Sequence, residues 1–407
     1  MHLLSKTTIT ATTLLVLTSC ASATQSPASP ETPGIPHGYV EGAVEGAEPQ
    51  LHIATIDAGG NVALLDLLSE QSSKLTTLDG TTELHTDGRY LFASTESGLH
   101  IVDTGVWTVD HEDHSHYYRA DPRDVGTIDQ LGPATVSGGT TLTGVWFQDA
   151  GTGVVLDSEA LGTGSIEELA TIAGEPHPGF VVPFADGLLV TESDDGLASG
   201  VRAYNADGDA LESMANCPDL SGTIGTRVGQ VFGCSDGAVL ATIDANGNPQ
   251  FESIPYPAGT APADRALDFR SRPGRPTVAA VAGTTGAWLL DTRNRTWTLL
   301  STEAPLLLVA AVDDREGHVV ALANDGRVLV IDPSSGATLA ATSPILAASV
   351  ADAALLAGLE LTVDSSRAYI NAPAEGVVYE IDYADQARIA RTFEVPGSPL
   401  FFAETGR

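Results

Sequence analysis

From Leu51 onward the chain alternates short apolar runs with turns built on Gly and Asp. Asp87-Gly88-Arg89-Tyr90-Leu91-Phe92, Asp186-Gly187-Leu188-Leu189-Val190 and Asp236-Gly237-Ala238-Val239-Leu240 each pass from a turn into an aliphatic or aromatic stretch. Gly98-Leu99-His100-Ile101-Val102-Asp103, Gly286-Ala287-Trp288-Leu289-Leu290-Asp291 and Asp325-Gly326-Arg327-Val328-Leu329-Val330-Ile331-Asp332 do the same and close on an Asp. Glu375-Gly376-Val377-Val378-Tyr379-Glu380-Ile381-Asp382 is the last of them. Apolar runs of this length, bounded by Gly and Asp, predict strands joined by tight hairpins. No long stretch carries helical periodicity, so the expected fold class is all-β.

The runs recur at intervals of about 40 to 50 residues, the length of one four-stranded propeller blade. Units begin near Leu78, Leu131, Pro176, Thr223, Arg265, Pro305 and Ala351. Pro399-Leu400-Phe401-Phe402 matches the first strand of a further unit, which residues 51–77 would complete. The two ends of the chain would then close a single β-propeller and remove its open sheet edges. Eight blades are expected over residues 49–407. Seven is the alternative, because the unit around Leu131 is irregular.

The N-terminus sets the expected compartment. Lys6 precedes a mostly apolar stretch, Thr7 to Thr18, containing Leu14-Leu15-Val16-Leu17. That run is too short to span a bilayer and reads as an export signal over residues 1–19. Leu17-Thr18-Ser19-Cys20 resembles a bacterial lipobox, which implies that Cys20 carries a lipid as the first mature residue. A plain secretory signal with an incidental cysteine is the alternative. Residues 20–48 are rich in Pro, Ser and Thr without apolar periodicity, so a flexible tether is expected. The body would sit at the outer face of the cell membrane, held there by the lipid.

Two cysteines remain, Cys217 and Cys234. In an exported protein an even pair most simply forms a disulfide, worth roughly 3 kcal/mol in the chain-entropy model. Thiol ligation of a metal is the lesser reading. The formal net charge is −34, from 53 acidic and 19 basic residues. Such a field repels nucleic acid and anionic lipid, and concentrates cations near the surface.

The candidate chemistry lies in His111-Glu112-Asp113-His114-Ser115-His116, which holds three of the ten histidines. Imidazole is the commonest protein ligand for zinc and similar ions. His114 and His116 point to one side of an extended segment, and His111 must reach them through a bend. Asp113 and Glu112 are available as an oxygen ligand or as acceptors that orient a ring. A polar surface loop rich in histidine is the bland alternative. The segment from Trp107 to Asp129 is longer than its equivalents, so the cluster sits in or beside an insertion on a repeated frame, where binding residues are often carried. His100, one strand earlier, is a candidate supporting residue. His52, His85 and His318 lie in strand-like contexts and are expected to be structural.

The run from Val102 to Arg119, with Trp107, the three histidines, Tyr117 and Tyr118, resembles the histidine motif of AztD-type zinc chaperones. Those are exported β-propellers that work with a zinc ABC importer and pass zinc to its solute-binding protein. The similarity extends to the repeat, to Pro176-His177-Pro178 and to the Cys217…Cys234 pair. The resemblance implies zinc held by His111, His114 and His116, with His177 as a fourth ligand from another blade. Two departures stand out. Family members often carry a histidine where this chain has Leu220-Ser221-Gly222, and some have a histidine-rich N-terminal arm where this chain offers only His37.

The expected function is therefore a monomeric, lipid-anchored zinc metallochaperone that works by ligand exchange, with Tyr117, Tyr118 and Trp107 either as its docking surface or, equally, as buried packing. One alternative is a propeller interaction module whose metal, if any, is structural and closed by four protein ligands. Another is a metal-dependent hydrolase that keeps one zinc position for water. The sequence has no Gly-x-Ser-x-Gly elbow and no acid–base pair at a recognisable spacing, so no enzyme is expected.

Overall fold

The computed structural model describes residues 38–111 and 114–407. The expected export signal, Cys20, the expected tether as far as His37, and Glu112 and Asp113 lie outside the described residues. The architecture is all-β and propeller-like: among the described residues, strands form nine antiparallel sheets, seven of four strands and two of three. No helix of the described residues is long and apolar enough to cross a membrane.

Eight of the sheets follow the predicted repeat. One draws on both ends of the chain: Phe401–Thr405 pairs with His52–Ile56, followed by Asn61–Asp66 and Gln71–Thr77. Burial differs sharply between the strands of a sheet. His52–Ile56 is buried along its length, whereas Gln71–Thr77 is mostly exposed, and the same contrast separates Val319–Ala323 from Thr338–Ala341. Strands covered on both faces by neighbouring sheets read as unbroken apolar runs, which is why the sequence pattern is blocky rather than alternating.

An apolar cluster joins each of these sheets to the next. Phe92 and Ile101 pack with Val145 and Leu156, and Val320 and Leu322 with Ile370 and Ile381. Ile53, Leu65 and Phe402 pack with Tyr369 and Val378, so the last sheet in sequence lies against the first. Burying each such side chain contributes about 1.5–3 kcal/mol.

The unit around Leu131 turns out to be regular, with strands Ala134–Gly138, Leu142–Phe147, Thr152–Asp157 and Glu168–Ala173. Its odd sequence is a one-turn helix, Ser158–Thr163, inserted before the last strand. Asp157 caps it, accepting from the Glu159 and Ala160 amides, and Gly164 ends it at φ +88°. The irregular unit is the one near Arg265, which keeps three strands. Its innermost element is reduced to an Arg270–Ala279 bridge, followed by Arg272-Pro273-Gly274-Arg275-Pro276, where two prolines offer no amide to a ladder. Cys217 and Cys234 form the expected disulfide, both buried, joining successive sheets.

The ninth sheet is an insertion, and it holds the histidine cluster. A hairpin of Val106–Asp110 and Ser115–Arg119 is extended by a third strand, Val44–Gly46. Residues 44–46, within the span expected as tether, are hydrogen-bonded into this sheet. Composition predicts a linker there, but the pairing needs only backbone groups, which composition does not report.

Candidate metal centre

The turn of the inserted hairpin brings His111, His114 and His116 together. The His111 amide donates to the His114 carbonyl at 2.9 Å, supplying the bend that the spacing requires. One nitrogen from each ring lies within 4.8 Å of the others, and the ring centroids are 5.0 to 5.3 Å apart. His114 is exposed, and His111 and His116 are half-buried. Three converging imidazoles supply three of the four ligands of a tetrahedral zinc site and suit copper or nickel as well.

The hairpin is fixed from its base. Trp107 and Tyr118 face each other across the ladder and stack at 5.3 Å, with the Arg89 guanidinium 3.7 Å over the indole. Arg89 is held in turn by a bidentate pair with buried Asp103, at 3.0 and 2.8 Å. Arg119 reaches Asp66 of the first sheet at 2.9 Å. The Trp107 indole donates to the Gly38 carbonyl at 3.0 Å, and the Thr108 hydroxyl to the Gly406 carbonyl at 2.7 Å. Gly38 sits at φ +74°, where a Cβ would lie 2.3 Å from Val109 Cγ2, so only glycine allows this approach. Trp107 and Tyr118 are buried and form the root of the hairpin, which is the packing alternative for these aromatics. Burial, and then the charge of Glu45, raises the Tyr118 pKa.

Two expected contributors lie elsewhere. His177 is not in the converging group. It is buried in the loop after Glu168–Ala173, against Trp146 at 4.7 Å, with Nδ1 on the Glu175 carbonyl at 2.6 Å and Nε2 on the Thr191 hydroxyl at 2.9 Å. Both ring nitrogens are engaged in these hydrogen bonds, and desolvation by burial lowers its pKa. His100 is also doubly engaged, Nε2 with Asp124 at 2.7 Å and Nδ1 with Thr127 at 2.8 Å. Leu220, in the Leu220-Ser221-Gly222 stretch, packs in the core beside Cys217 and Cys234.

Two features escape a reading of the sequence. Glu45, in the segment taken as tether, places Oε1 2.7 Å from His116 Nδ1. A second group, Asp314, Glu316 and His318, has ligand atoms within 4.8 Å of one another. Its spacing of two residues is a legible signal. Asp314, however, already takes the His318 amide at 2.9 Å and its Nδ1 at 2.6 Å, which closes the turn without an ion.

No family model matches the chain. Among solved structures, AztD from Citrobacter koseri superposes with a TM-score of 0.71 at 20% identity, covering 88% of this chain and 97% of that one. Apo AztD from the same organism gives 0.70 at 19% identity with the same coverage. Dihydro-heme d1 dehydrogenase NirN gives 0.55 at 14% identity, covering 89% of this chain and 76% of that one. The chain has the fold of AztD over nearly that protein's whole length.

Proposed function

We propose that this protein is an AztD-type zinc metallochaperone. It binds one zinc ion through His111, His114 and His116 and delivers it to the solute-binding protein of a zinc ABC importer. The observation that carries the reading is the convergence of three imidazole nitrogens within 4.8 Å at an accessible hairpin turn. The eight mutually packed sheets are read as eight propeller blades, closed by the pairing of Phe401–Thr405 with His52–Ile56. Export and a lipid on Cys20 would hold the body outside the membrane as a monomer.

Three protein ligands leave the fourth zinc position to water or to an incoming group. A histidine of the acceptor can enter there, and the resident imidazoles then leave one at a time, so the ion is never released to solvent. Aromatic stacking, ion pairs and carbonyl contacts hold the hairpin independently of any ion. A structural metal is therefore the weaker reading, because such sites supply folding energy that this hairpin obtains elsewhere.

The test is zinc content and competitive zinc affinity of residues 38–407, beside the His111→Ala/His114→Ala/His116→Ala variant. Tight one-to-one binding, lost in the variant while the fold persists, is expected, followed by transfer to the purified solute-binding protein. Wild-type protein that binds no more tightly than the triple variant sinks the proposal.

A further inference from the structure

The strand Val44–Gly46 places Glu45 opposite Tyr118. Side chains alternate along a strand, so Tyr118 and His116 share a face, and Glu45 meets His116 as its diagonal neighbour. The contact is Glu45 Oε1 to His116 Nδ1 at 2.7 Å, and it spans 71 residues of sequence. Glu45 is not in the group whose ligand atoms converge, so it bears on that group through the His116 ring.

A neutral imidazole that donates Nδ1–H to a carboxylate presents its lone pair at Nε2. The hydrogen bond also fixes the rotation of the ring and makes Nε2 a better donor, as outer-shell carboxylates do in metal sites. From this geometry we infer that Glu45 is a positioning residue of the zinc site, acting through His116. The inference rests on the carrier reading given above and deepens it. The N-terminal strand is then a working part of the centre: zinc affinity depends on a segment that precedes the repeated frame.

The experiment compares wild-type residues 38–407 with Glu45→Ala, Glu45→Gln and His116→Ala. It reads competitive zinc affinity, the visible spectrum of the cobalt(II) form, the melting temperature of the apo protein and Trp107 fluorescence, taken as the difference from the matching Trp107→Phe protein because the chain holds three other tryptophans. Loss of an outer-shell partner typically costs about 10–100-fold in affinity, and that is expected for Glu45→Ala. Glu45→Gln keeps an acceptor for Nδ1–H and loses only the charge, so it should recover part of the loss. Its cobalt spectrum should lie nearer the wild type, with Trp107 fluorescence unchanged. Glu45→Ala at wild-type affinity overturns the inference and leaves the carrier intact. Equal losses in both Glu45 variants, with altered Trp107 fluorescence, overturn it in favour of simple strand docking. Wild-type protein without zinc affinity overturns the carrier reading, and this inference with it.

Discussion

His177 and His111 show how far a single residue can be read from its neighbours. Both sit in marked sequence contexts, one between two prolines and one opening a cluster. Only the cluster has partners close in sequence, which brings His111, His114 and His116 onto one hairpin turn. His177 depends instead on Thr191 and the Glu175 carbonyl, with Trp146 alongside, and no spacing rule selects those contacts over a metal. Replacing His177 by Ala removes two hydrogen bonds and opens a void beside Trp146. A loss of about 2 kcal/mol in unfolding free energy is expected, with zinc affinity unchanged. A denaturant titration and a zinc competition on the same sample decide this, and loss of zinc binding would return His177 to the site. Glu45 was illegible for the converse reason: its partner lies 71 residues away, in a segment whose composition describes a linker.

At the scale of elements, the predicted unit starts near Thr223 and Pro305 fall close to the strands Thr223–Gly225 and Leu306–Ala311. Buried apolar runs carry that signal because each sheet is covered on both faces. The strand Val44–Gly46 is exposed at two of its three positions, so it has almost no apolar signature. Yet it closes one edge of the histidine hairpin, and Gly38 just before it accepts the Trp107 indole proton. A body begun at residue 49 therefore lacks part of the site. Such a protein should keep the circular dichroism of the longer form but bind zinc at least as weakly as Glu45→Ala. Equal zinc affinity in bodies begun at 38 and 49 would show the strand to be dispensable.

Across the whole molecule, three histidines share an electrostatic consequence. Burial lowers the pKa of His52, His85 and His177. The folded protein keeps them neutral at pH values where the unfolded chain, with imidazoles near about 6.5, takes up protons. Stability from these groups is fully present above that value and is lost as pH falls toward their lower folded values, by up to about 1.4 kcal/mol per pH unit for each. Asp87 and Glu404, raised by burial, act in the opposite sense, so the histidine contribution is best isolated by difference. A His52→Gln/His85→Gln/His177→Gln variant should lose less stability than the wild type between about pH 7.5 and 5.5. Parallel denaturant midpoints for the two proteins across that range would refute it. The C-terminal end adds a practical consequence, since the carbonyl of Gly406 accepts from the base of the histidine hairpin. Six histidines appended after Arg407 have a reach of roughly 13 Å, enough to bring foreign imidazoles toward the turn. A purification tag at that end would then compete for the ion under study, and metal counts taken on tagged protein would describe the handle as much as the molecule.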